Sequence, residues 1–205
     1  TYTKNVGDMD NYIPYYKRDL QGLNKSECVD VGYAEIRKFC EVNHITPPQL
    51  VKKDARGNGC CGLYYWGSNR ITVYVPSVAN ISLHPAPGNR QWSYPGYRVD
   101  RTGVGVTCHE TGHYLDNMLK ISKRRDFPYK KERVSSYEPS MGEAIAESLR
   151  IFILNPCLLH VYAPERCEYF INKIGLQPHI EADWDEVLAN APDRYTGVLK
   201  RFLQK

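Results

Sequence analysis

The sequence is short of every device that stabilises a chain other than by an ordinary core. Its seven cysteines (28, 40, 60, 61, 108, 157 and 167) are odd in number and include no CxxC pair, so neither a complete disulfide framework nor a zinc ribbon is indicated. Reduced thiols are expected. Cys28 and Cys40 fall on one expected helix, twelve residues or roughly 18 Å apart, which is too far to bridge. There is no run of about 20 apolar residues, and the opening TYTKNVGDMDNY has no basic and apolar leader pattern, so neither a membrane span nor a signal peptide is expected. Repeats and low-complexity tracts are missing as well. Nor is charge concentrated: a net +4 and a pI near 8.6 fall short of a dedicated nucleic-acid binder. Phenylalanine is scarce, 5 against 16 tyrosines, which favours aromatics able to sit half in water, in a lined groove as well as in a core.

What remains is an ordinary globular composition, 42% hydrophobic and 24% charged over 205 residues, enough for one domain with its own core. A soluble monomer is expected. Cysteine usage favours a reducing cytoplasm, with secretion as the alternative. The sequence starts at Thr1 without a methionine, which leaves room for a leader or a larger parent.

Residues 1–24 show no clear period and are assigned no structure. Helical spacing over 26–42, with Ser26 as N-cap, ends before Pro47 and Pro48. A glycine-rich turn at 57–62 leads into β-like runs at 63–66 and 70–76, joined as a hairpin. Proline and glycine make 80–101 a loop. Helical spacing returns over 102–118 and again over 140–154, where Asn155 and Pro156 stop it. Three short helices are expected at 164–174, 183–190 and 195–203. The order fits a single α+β domain with a small mixed sheet: a sheet-containing lobe at 1–120 and a helical lobe at 121–205.

The helix over 102–118 carries TCHETGHYLDN at 107–117. His109 and His113, four residues apart, lie on one face and can present two imidazole nitrogens to one Zn²⁺. Glu110 sits beside that face, where a general base belongs: a carboxylate there can take the proton of a zinc-bound water and pass it to the leaving amine. Gly112 leaves the helix thin, so that another segment can approach closely. The plain alternative is two satisfied core histidines on an amphipathic helix.

A catalytic zinc needs a third protein ligand, and the helix over 140–154 offers Glu143 and Glu147, again four apart. Two like charges at that spacing in EAIAESLRIF are costly unless a cation compensates them. Glu143 is expected as the third ligand of one zinc per chain, and Glu147 as the carboxylate that accepts the Nδ1 proton of His109. The reverse assignment, and a solvated helix face, stay open. A metzincin histidine would stand at position 119, which is Leu119. His160 and His179 are the remaining imidazoles, each in loop-like sequence.

Together the two segments resemble the gluzincin metallopeptidases, and within them the catalytic domain shared by anthrax lethal factor and the Pro-Pro endopeptidases. HETGHYLD is similar to that group's HExGHxxD, including Gly112 and Asp116. YEPSMGEAIAESLR at 137–150 is similar to its pattern of a tyrosine, a spacer, ExxAE and an arginine three residues on. The resemblance covers roughly 102–155. It implies a zincin-like fold, a zinc-dependent endopeptidase acting on peptide or protein, and Glu143 as metal ligand. Tyr137, one residue nearer to the glutamate than the family spacing, would donate to the oxyanion. Glu147 and Asp116 would brace the ligands. The run from Ile151 through NPCLL to WDEVL at 184–188 is also similar to tails of phage and prophage peptidase-like proteins, whose setting would be a bacterial host.

Other readings stay beside this one. A zincin-like domain kept as a binding or structural module, phage-associated, would use the metal to hold its fold; the intact Glu110 argues against it. The basic run Lys120, Lys123, Arg124, Arg125, Lys130, Lys131 and Arg133 is read first as a solvated loop, so nucleic acid is not the expected partner. The hairpin could add an extended peptide to its edge or be a plain core hairpin. Cys108 is read as a small core residue, and Cys60 and Cys61 as packed thiols.

Overall fold

A computed structural model of the chain describes residues 12–81 and 99–180. Its first long element, helix α1 (Lys25–Val42), begins earlier than expected. Asn24, not Ser26, is the N-cap: its Oδ1 accepts from Glu27 N at 2.8 Å, and its own N–H donates to Glu27 Oε2 at 2.7 Å. Two orphan donors of the first turn are satisfied reciprocally.

Three strands follow: β1 (Gln49–Lys53), β2 (Gly62–Tyr64) and β3 (Arg70–Tyr74). β2 and β3 form the expected antiparallel hairpin, with Gly62 opposite Val73. β1 is an addition to the expected elements. It runs parallel to β3 with Gln49 opposite Arg70, so among the described residues the order is β1-β3-β2 and β2 is an edge. The central strand buries Ile71 and Val73.

Helix α2 (Gly103–Leu119) carries the HExxH segment and packs against α1, β2, β3 and helix α4 (Met141–Leu154). Residues 103–112 are all buried, which is why this helix is apolar on so many sides. Between α2 and α4 the basic segment contains a short helix, α3 (Ile121–Arg124), where only a loop was expected. Ser140 caps α4 by accepting from Glu143 N at 3.3 Å.

Pro156 does not end the helical region. With Asn155 Oδ1 accepting from Leu158 N at 3.3 Å, it opens helix α5 (Pro156–Tyr162); proline is favoured at a first helical position, where its missing N–H costs nothing. His160 is therefore on a helix. Helix α6 (Pro164–Glu168) and the π-turn Tyr169–Ile174 together occupy the helix expected at 164–174.

One hydrophobic cluster includes Phe39, Leu115, Leu149, Phe152 and Phe170, so among the described residues the expected lobes share a core. At its edge, Glu35 of α1 is fully buried. It accepts from Tyr15 N at 2.6 Å and from the Tyr12 hydroxyl, and lies 2.7 Å from His179 Nε2. Tyr12 and Tyr15 are thus tied to α1, with a 3-10 turn at Tyr15–Lys17, and His179 is committed to Glu35. All seven cysteines are free thiols. Among the described residues no helix is long and apolar enough to cross a membrane. The helices expected at 183–190 and 195–203, WDEVL at 184–188, and most of the loop at 80–101 lie outside the described residues.

Candidate metal centre

The crossing of α2 and α4 brings the expected ligands together. A side-chain carbon on Gly112 would stand 2.7 Å from both Cα and the carbonyl oxygen of Ala146, so only glycine allows this approach of the two backbones. Beside that contact, His109 and His113, one turn apart on α2, present their rings edge to face, 4.9 Å between centroids. Glu143 Oε2 lies 3.1 Å from His109 Nε2 and 3.2 Å from His113 Nε2.

These three atoms form a group able to hold a metal ion. Neighbouring ligand atoms around a tetrahedral zinc with bonds of about 2.0–2.1 Å lie about 3.3–3.4 Å apart, close to the spacing observed. Glu143 Oε2 supplies a second observation: it is buried yet makes no well-angled hydrogen bond. A buried carboxylate oxygen without a donor is costly, and a cation between it and the imidazoles removes that cost. Two nitrogens and one oxygen are also the donor set of a catalytic zinc with an open position. Glu143 stands in the first turn of α4, where the helix dipole favours its charge.

Behind His109 lies a fully buried ionic chain. Glu147 Oε1 is 2.7 Å from His109 Nδ1. Arg150 grips the same carboxylate with Nε at 3.0 Å and Nη2 at 2.8 Å, and its Nη1 donates to Asp100 Oδ1 at 2.5 Å. Burial opposes Glu147's charge, but the Arg150 guanidinium and the His109 bond prevail and hold its carboxyl far below the ordinary range. An ionised carboxylate only accepts, so Nδ1 of His109 carries the proton and Nε2 faces Glu143 and His113. Without metal, burial disfavours the imidazolium, yet the Glu143 and Glu147 carboxylates beside it outweigh that and raise His109 to about 10. Glu143 is lowered to about 2: burial raises it, and the His109 and His113 imidazoles beside it more than reverse that.

Glu110 is 8% exposed, and burial pushes its carboxyl up against the pull of both imidazoles. Tyr137 is 40% exposed with its ring 5.9 Å from that of His109; burial, then the Glu143 charge, raises its phenol. Asp116 works differently from the brace expected of it. Its Oδ1 accepts from Ser122 N at 2.7 Å, which fastens α3 to the end of α2, and its buried Oδ2 makes no hydrogen bond. Cys108 lies off the metal face, buried, with Sγ 3.8 Å from Gly32 O.

Arg150 was part of the motif read in the sequence but had no role assigned there, and two further contributors, Asp100 and Gly62, were not foreseen. Arg150 sits three residues past Glu147, a spacing that puts the pair on one helix face. Asp100 and Gly62 reach the site only through tertiary packing, and nothing local in the sequence marks them. No protein-family model matches the chain, and no solved structure matches it.

Proposed function

We propose that the chain is a zinc-dependent endopeptidase of the gluzincin type, on a zincin-like fold. The observation that carries the reading is the convergence of His109 Nε2, His113 Nε2 and Glu143 Oε2 with an isolated, buried carboxylate, Glu110, on the next position of the same helix. A site whose metal only braced the fold would have no use for that carboxylate. Zinc held by the three residues supplies Lewis acidity, which lowers the pKa of water and polarises a carbonyl.

The chain's own groups do the rest. Glu110, its carboxyl raised by burial, accepts the proton of the attacking water and returns it to the leaving amine, a role suited to a base whose pKa lies nearer the working pH. Tyr137 offers a neutral phenol beside His109 to the oxygen that becomes negative, so its bond strengthens as the transition state forms. Glu147, gripped by Arg150, holds the His109 ring and its tautomer. The outer side of β2, an edge strand alongside Glu110, suits the main chain of an extended peptide.

The test is Glu110→Gln. The variant should bind zinc and unfold as the parent does while losing peptide hydrolysis by at least about 10²-fold, scored against a peptide library. An equally active Gln variant would end the mechanism. Zinc bound by a parent that cleaves nothing would turn the reading to a structural or binding module.

A further inference from the structure

Gly62 opens β2, and its missing side chain faces α2. A carbon built there would stand 2.6 Å from Cγ, 2.6 Å from Oε1 and 2.9 Å from Cδ of Glu110, where real carbons stay beyond 3.0 Å. Tyr64, two residues on, points to the same side of the strand. Its hydroxyl accepts from Asn117 Nδ2 at 2.9 Å, and its ring meets Tyr114 edge-on at 6.2 Å. The strand therefore runs along α2, with Gly62 against Glu110 and Tyr64 against the last turns.

Neither backbone is free to retreat. On one side of Gly62, Cys61 O accepts from Tyr74 N at 2.9 Å, and Cys61 Sγ donates to Ser77 O at 3.2 Å. On the other, Tyr64 donates to Ser68 O at 3.1 Å and accepts from Gly67 N at 3.2 Å, closing the turn to β3. α2 is enclosed by α1, α4 and the sheet. A side chain at 62 would displace the one movable group in its way, the Glu110 carboxylate.

We infer that Gly62 is a positioning residue for the base: the space it leaves is the space in which the Glu110 carboxylate lies. This rests on Glu110 acting as proposed above. The edge strand then has two duties, one towards the peptide through its main chain and one towards the base through an absent side chain.

The experiment is a double-mutant cycle in the full chain, read twice. In thermal unfolding, Gly62→Ala lowers Tm, and the same substitution in Glu110→Ala protein does not, because the atoms it meets are gone. In kinetics on the zinc-loaded protein, Gly62→Ala lowers kcat by about 10²-fold, the scale of a misplaced catalytic group, with KM and zinc content unchanged. In a Glu110→Asp background, whose carboxylate is one methylene shorter, it costs less than in the parent.

An equal loss of Tm in both backgrounds overturns the inference, as does a Gly62→Ala protein with the parent's kcat. Should Gly62→Ala not fold alone, folding of the Gly62→Ala, Glu110→Ala pair supports the contact and its failure refutes it. A parent that hydrolyses no peptide removes the peptidase reading and this role together. A cleaving parent with an indifferent Gly62→Ala removes the role alone.

Discussion

If His109 holds zinc as proposed, zinc and a proton compete for its Nε2, and the competition has a size. In the metal-free protein the ring lies between Glu147 Oε1 at 2.7 Å and Glu143 Oε2 at 3.1 Å, and the two carboxylates overcome burial to raise it to about 10. Ligation removes the Nε2 proton and keeps Nδ1–H on Glu147. At pH 7 that proton is about three pH units below its pKa, so removing it weakens zinc binding about a thousandfold, or about 4 kcal/mol. Glu143 adds nothing in this range, since it is ionised down to about 2. Zinc affinity should therefore climb about tenfold per pH unit between about pH 7 and 9 and level off near 10. The metal-free fold has the opposite slope. A raised imidazole stabilises fully below its ordinary 6.5 and loses that contribution as the pH rises through about 10, so the metal-free Tm should fall over the interval in which zinc tightens. Competition calorimetry with a chelator, in buffers of different ionisation enthalpy, reads both affinity and protons released. About one proton per zinc near pH 8 is expected. An affinity flat from pH 7 to 9, with no proton released, would refute the reasoning.

Other perturbations separate the parts of the centre. Gly112→Ala puts a carbon 2.7 Å from the Ala146 backbone, so α2 and α4 must part by several tenths of an ångström. A cost of about 1–3 kcal/mol is expected, with weaker zinc binding, and melts with and without zinc check both; an unchanged Tm would mean that the helices are further apart. Arg150→Met leaves the buried Glu147 and Asp100 carboxylates without their cation, which should cost about 3–5 kcal/mol in urea unfolding; a loss under about 1 kcal/mol would show that the chain behind His109 contributes little. Glu143→Ala should reduce zinc from about one per chain to near none by elemental analysis, and a full equivalent retained would place the third ligand elsewhere.

The two helices that build the centre were legible because their evidence is local. His109 with His113, and Glu143 with Glu147, are each one turn apart, and a charged pair inside an apolar helix demands an explanation before any fold is known. Gly112 was legible for the same reason, as a thin place on a helix. β1 was not: QLVKK has only Leu50 and Val51 as apolar members, and its partner β3 lies beyond the intervening β2. Pro156 was read as a stop because a proline bars continuation of a helix; that it also starts one depends on Asn155 folding back to cap it. Asp100 and Gly62 contribute through what they touch, Arg150 and Glu110, and neither contact has a spacing to betray it. Asp116, though part of the motif, spends its hydrogen-bonding oxygen on Ser122.

Glu35 ties together parts of the chain far apart in sequence. Tyr12 and Tyr15 reach it from before α1, and His179 from beyond the last turn. In outline the molecule is less a string than a necklace, and this carboxylate is its clasp. Each side holds the clasp shut for the other: stripping away either segment would leave a buried polar side chain short of donors and loosen the remaining one. The two outer stretches should thus come off α1 as a single event, while the proposed zinc ligands, carried on α2 and α4, stand outside the fastening.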